Sequence, residues 1–109
     1  MARDQGLEEV LRDDLGEQDD LTEAPMFGGL AILHRGHLLC GIRHDGLMVR
    51  LGRGGDGWAL DLPGVTPLRA GARPMPGWVR VPPDLCGDDL LRRRFLDAAL
   101  AVTRALPPR

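Results

Sequence analysis

A chain of 109 residues with a 43% apolar fraction has the size and composition of one domain, residues 1–109, able to build a core without staples. Its apolar runs are too short to span a bilayer, which argues against a helical membrane protein. The net charge of −2 hides a gradient of −7 over residues 1–24, +4 over 25–83 and +1 over 84–109, and an acidic leading segment opposes general nucleic-acid binding.

Leu7, Val10, Leu11 and Leu15 recur at helical spacing, so a first helix is predicted, capped by Asp4, stopped by Gly16 and with its acids on the wet face. Pro25 closes the polar connector that follows. FGGLAIL (27–33) reads as a strand whose glycines suggest close approach of another backbone or a bulge. Arg35-Gly36 is a two-residue turn into the strand HLLCGIR (37–43). Asp45-Gly46 is read as a type I′ turn into GLMVRLG (46–52), with Leu47, Val49 and Leu51 on one face and Met48 and Arg50 on the other. GRGGDG (52–57) is a loop. It lacks the Gly-Lys-Ser/Thr ending of a phosphate cradle, and the chain has no lysine.

Asp56 can cap a short helix that Pro63-Gly64 stops. VTPLRA (65–70) and GWVRVP (77–82) are two further short strands. GARPMPGW (71–78) is read as their connection, stiffened by Pro74 and Pro76 and freed at its ends by Gly71 and Gly77. Asp88 or Asp89 caps a long helix to about Leu106, with Leu91, Phe95, Ala98, Ala99, Val102 and Leu106 as its core stripe. The order α-β-β-β-α-β-β-α implies an α+β fold in two layers: a five-stranded, mainly antiparallel sheet with helices on one face.

Serine, lysine, tyrosine and asparagine are absent, which excludes a serine nucleophile, a Schiff-base lysine and a tyrosine acid. Cys40 and Cys86 form no CxxC pair and read as free thiols of a reducing compartment. Cys86, just before a helix start, is the more reactive candidate. His34, His37, Cys40 and His44 have residue types that suit zinc. Strand alternation opposes convergence: His34 and His37 face each other across the turn, while Cys40 and His44 fall in the other phase. The histidines therefore read as solvent-facing turn residues. Arg92-Arg93-Arg94 reads as a solvated helical surface, paired with Asp88, Asp89 or Asp97, or with the acidic first helix. No catalytic, cofactor-binding or metal-ligating residue is assigned.

The motifs MFGGLAIL (26–33), DGLMVRLG (45–52), PGVTPL (63–68) and GARPMPGWV (71–79), in this order and spacing and ahead of ALPP at 105–108, resemble the TfoX/Sxy N-terminal domain family. The resemblance spans roughly residues 7–107 and implies a small α+β domain. The family's namesakes regulate natural DNA competence in bacteria, usually with a second, C-terminal domain that this sequence stops short of. It brings no established catalytic residues. The sequence departs from the family at Pro76, where a basic or polar residue is common.

A noncatalytic regulatory or protein-interaction domain is therefore the expectation, located in the cytoplasm and without a cofactor. Met26, Phe27, Gly28 and Gly29, together with Arg73, Met75 and Trp78, form the candidate interaction surface, since Arg, Trp and Met are enriched at binding hot spots. The expected arrangement is a shallow groove over the glycines, covered by the 71–78 connection. A protein partner is expected, direct nucleic-acid binding is not, and a homodimer would cover an open edge or face. The second reading is a small-ligand-binding protein or minor enzyme that uses the Arg73/Trp78 loop.

Overall fold

The structure is a computed structural model and describes residues 5–16, 18–26 and 28–107. The elements run α1 (Gln5–Asp14), β1 (Leu21–Met26), β2 (Gly29–His34), β3 (His37–Arg43), β4 (Gly46–Arg50), α2 (Gly57–Leu60), β5 (Thr66–Ala70), β6 (Arg73–Val81), α3 (Pro83–Cys86) and α4 (Asp89–Arg104). The strands form one sheet in the order β1-β2-β3-β4-β6-β5, with antiparallel neighbours throughout. The α+β class holds, but the sheet has six strands where five were expected. The extra strand is LTEAPM, read above as a polar connector. It is an edge strand with no buried residue, and it pairs with β2 along its whole length. Polar sequence and a proline are compatible with a strand at an edge, where a missing N–H leaves no ladder bond unmade. β5, the other edge, also carries a proline, Pro67. No helix among the described residues is long and apolar enough to cross a membrane.

Three strands follow the expected meander, with one turn corrected. Arg35 and Gly36 both have positive φ, at 55° and 83°, as a tight hairpin turn requires. The next turn is His44-Asp45, because Arg43 pairs with Gly46, and neither turn residue has positive φ. Gly46 belongs to β4 and serves close approach instead: a Cβ there would lie 2.1 Å from the Val81 carbonyl oxygen.

The helix-side core runs through Leu11, Leu39, Ile42, Leu47, Val49, Val79, Val81, Phe95 and Ala99, each no more than 1% exposed. Leu7, Leu11 and Leu15 are buried as the spacing predicts, but so is Glu8, expected on the wet face. Asp88 caps α4 by accepting from the Leu91 amide at 3.0 Å. The buried stripe of α4 is Arg92, Phe95, Leu96, Ala99, Leu100 and Thr103. Only Phe95 and Ala99 of the expected stripe lie fully within it; Leu91, Ala98, Val102 and Leu106 are half-buried. The stripe is rotated because two polar side chains, one near each end of the helix, have buried partners.

Near the helix start, Arg92 joins three elements. Its Nε donates to Asp14 of α1 at 2.6 Å, Nη1 to the Cys86 carbonyl at 2.9 Å and Nη2 to Asp89 at 2.8 Å. Both Arg92 and Asp14 side chains are only 5% exposed. The arginine run is thus not a uniformly solvated surface. Arg92 is buried, Arg93 lies 3.5 Å from Asp14, and Arg94 stacks 3.9 Å over the Trp58 ring, which itself packs on Phe95. Near the helix end, Thr103 donates to the Leu100 carbonyl, so His34 Nδ1 must donate to Thr103 Oγ1 at 2.7 Å. His34 Nε2 then accepts from the Gln18 amide, whose oxygen is held by Arg104. His34 is buried, not solvent-facing, and both ring nitrogens are used. Burial, with Arg104 and Arg35 nearby, lowers its pKa.

Two predictions follow from these ties. Arg92→Ala strands a buried carboxylate and is expected to cost about 3 kcal/mol in urea unfolding, at the low end for a broken buried pair because Arg93 remains near Asp14. Combining it with Asp14→Ala should cost clearly less than the two single losses together. For His34 the unfolded chain takes up its proton near 6.5 while the folded chain resists it, so stability is complete above 6.5 and falls as pH drops toward the folded value. His34→Gln should flatten that decline between about pH 7 and pH 5 in thermal unfolding.

Candidate interaction face

Alternation along the central strands divides their side chains between two environments. Cys40 and Ile42, Leu47 and Val49, and Val79 and Val81 point into the helix-covered core. Arg43, Met48, Arg50, Trp78 and Arg80 are their out-of-phase neighbours and lie on the opposite face. Met48 pairs with Arg80 and Arg50 with Trp78. The helices are tied to the first face through Phe95, Trp58, Asp14 and Cys86. Among the described residues, none packs over the second.

This open face is shaped by an irregularity between β5 and β6. Pro67 pairs with Val79, yet Arg69 pairs with Pro74, so Met75–Trp78 bulge opposite the single residue Leu68. Gly77 makes the bulge possible. Its φ is 83°, its carbonyl accepts from the Leu51 amide at 2.7 Å, and a Cβ would lie 2.5 Å from the Gly52 backbone. The bulge folds Met75 and Trp78 toward Leu38, Met48 and Leu68 around a hollow of about 220 Å³, which Arg43 and Arg69 also line.

The charge of the face is one-sided. Arg50 stands 5.8 Å from the Trp78 ring centroid and donates to the Leu38 carbonyl. Arg69 donates to the Ala72 carbonyl. Arg43 holds Asp45 with two hydrogen bonds of 3.1 and 3.0 Å, and Arg80 approaches the same carboxylate at 3.5 Å. Hydrogen bonding from Arg43, foremost, keeps the Asp45 carboxyl below its ordinary pKa. Of these four guanidinium groups, Arg43 and Arg80 share the Asp45 carboxylate, and Arg50 and Arg69 meet backbone carbonyls.

The structure brings together only part of the expected surface. Met75 and Trp78 line the hollow. Arg73 lies at the β5–β6 hairpin end, exposed and paired with Ala70. Met26, Gly28 and Gly29 sit at the β1–β2 turn, and Phe27 lies outside the described residues. Strands β3 and β4 lie between β2, which carries Gly29, and β6, so the two groups are roughly 14 Å apart from β2 and roughly 19 Å from β1 at the usual strand spacing. The 71–78 stretch therefore does not cover a groove over the glycines. Gly71-Ala72 is the turn, and Arg73–Trp78 belongs to β6. Gly29 instead permits the close approach that its sequence context suggested, since a Cβ would lie 2.0 Å from the Ile42 carbonyl oxygen. Pro74 and Pro76 are tolerated because β4 pairs with β6 only from Trp78 onward. Sequence reasoning missed Leu38, Leu68 and the arginines of the face. The one available signal was the Met48 and Arg50 phase of the third strand.

Neither thiol is in a disulfide, as expected, but the phase of Cys40 on its strand and the setting of His34 differ from the sequence expectation. A bulge at Leu39, seen as Ile32 pairing with Cys40 while Leu33 pairs with Leu38, returns Cys40 to the core side. Burial pushes its thiol up to about 12. Cys86 is also buried, with Sγ toward the Val81 carbonyl, and neither cysteine is in a disulfide. His37 donates to the Pro107 carbonyl at 2.6 Å. No cluster of three metal-ligating side chains occurs among the described residues.

The bulge makes a specific demand on Gly77. Gly77→Ala should destabilise the fold by about 1–3 kcal/mol, since an L-residue is strained at this φ and its Cβ meets backbone. Gly71→Ala, where nothing lies within 4 Å, should lose less. Equal losses in denaturant unfolding would contradict the close-approach role.

The TfoX N-terminal domain model matches residues 13–103. No curated protein and no solved structure matched the chain. With most of its length covered by that match, and with the mixed helix-and-sheet architecture described above, the chain belongs to the TfoX N-terminal domain family.

Proposed function

We propose that this domain is a noncatalytic, cytoplasmic regulatory module that binds a protein partner through its open sheet face around Trp78. The observation that carries the reading is the uncovered apolar surface of a sheet whose other face holds the helices of the described residues. Leu38, Met48, Leu68, Met75 and Trp78 are each half-buried there rather than packed away. Trp and Arg side by side, as in the Arg50–Trp78 pair, are the residue types on which binding energy concentrates. Family membership supports a regulatory role, since the family's namesakes are regulators.

A catalytic reading has less support. The hollow of about 220 Å³ is smaller than usual small-molecule sites, and the charged groups that line it, Arg43 and Arg69, are both guanidinium cations with no acid or base beside them in the lining. Both thiols are buried, and Cys40 is held protonated at neutral pH.

A photo-crosslinking side chain at position 68, compared with one at the exposed helix position 97, tests the reading in native-host cells. A protein adduct is expected from position 68 alone, and Trp78→Ala should weaken partner binding by about 30-fold or more. The same adducts from both positions, or none from position 68, would refute it.

A further inference from the structure

We infer that the partner presents an acidic segment with an apolar anchor: the anchor fills the hollow between Met48, Leu68, Met75 and Trp78, and flanking carboxylates meet Arg50, Arg69 and Arg80. This inference rests on the reading that the open face binds protein, and it specifies the chemistry of the bound chain.

Charge complementarity is the first argument. Asp45 is already shared between Arg43 and Arg80, so the face is left with a positive surplus. Arg50 and Arg69 donate only to neutral backbone carbonyls among the described residues. A carboxylate is a stronger acceptor than a carbonyl and can engage a guanidinium with two parallel bonds. The surplus is local: the chain as a whole carries −2, and its first 24 residues carry −7. An acidic segment is therefore drawn to this face and repelled by the chain's leading segment.

The second argument is the form of the surface. Both edge strands carry a proline, Pro25 and Pro67, which opposes the addition of a partner strand at either edge. Binding is directed instead to side chains on the open face. Two methionines in the hollow's wall give it an adaptable apolar surface suited to a Leu or aromatic anchor.

Other occupants fit less well. Two copies meeting through this face would oppose guanidinium groups with guanidinium groups. A single-stranded nucleic acid needs successive stacking platforms, and Trp78 is the one aromatic ring found on this face among the described residues.

The test is selection of a displayed library of random 12-residue peptides against the full chain. Enriched peptides are then measured by fluorescence anisotropy against wild type, Arg50→Gln, Arg80→Gln, Met75→Ala, Trp78→Ala and the helix-side control Arg93→Gln. Enrichment of Asp and Glu around a Leu or aromatic residue is expected. Affinity should fall about tenfold or more with Trp78→Ala and severalfold with Arg50→Gln or Arg80→Gln, and change little with Arg93→Gln. Circular dichroism identifies variants that fail to fold, and the two surface arginine changes carry the test if Trp78→Ala does so. Apolar peptides without acidic enrichment, still dependent on Trp78 and Met75, would overturn the acidic chemistry while sparing the interaction face. Failure to enrich any peptide dependent on these residues would overturn both. Trp78-dependent binding of an oligothymidylate, or self-association abolished by Arg50→Gln, would overturn the inference in favour of nucleic acid or a second copy.

Discussion

A sheet of this kind has two faces, and here the helices occupy one of them. That constraint organises the molecule. On the covered side, alternate residues of β3, β4 and β6 are aliphatic and almost wholly buried. On the other side the same strands carry Met, Trp and Arg, whose long side chains shield the sheet while keeping polar ends in water. The two compositions interleave residue by residue, so the register that builds the core also builds the open face. Slipping one strand by one position would exchange them.

The helix layer is oriented by polar contacts set within an apolar packing surface. Hydrophobic burial is non-directional and would accept several rotations of α4 on the sheet. Arg92 near one end and Thr103 near the other remove that freedom. Each must face its partner, Asp14 in one case and His34 in the other, or be buried without one. The pair of ties selects the rotation that turns Leu96 and Leu100 inward and leaves Leu91 and Val102 half-exposed. Arg92 also reaches the Cys86 carbonyl, so α1, α3 and α4 meet at one side chain.

The open face has its own local constraint in the β6 bulge. Four residues opposite one cannot continue a flat ladder, so the strand bends and its side chains are re-aimed. The bend is held by the backbone of Gly77 against Leu51 and Gly52. A hollow consequently forms where regular pairing would have left a plane. The arginines around it arrive from three strands and the β5 edge, which is why no local run of basic sequence marks them.

Much of the fold was legible because its signals are local. The Arg35-Gly36 turn, the alternation of GLMVRLG, the leucine spacing of the first helix and the Asp88 cap each involve a few neighbouring residues whose backbone preferences point one way. The edge strand β1 was not legible, since its polar sequence becomes a strand by pairing with β2. Pairing of the arginine run with Asp89 and with the acidic first helix was legible from charge, but the burial of Arg92 and of His34 was not, because their buried partners lie 78 and 69 residues away. The 71–78 stretch shows both limits. Its glycines and prolines announced an unusual backbone, and Met75 and Trp78 were picked out by type. Joining them to Leu38, Met48 and Leu68, and parting them from Met26 and Gly29, required the strand order. The sequence alone determined the elements with strong short-range preferences and the family to which the chain is similar. The tertiary structure decided which polar groups are buried, which strands are edges and where the open face lies, because those depend on partners brought together only when the chain is folded.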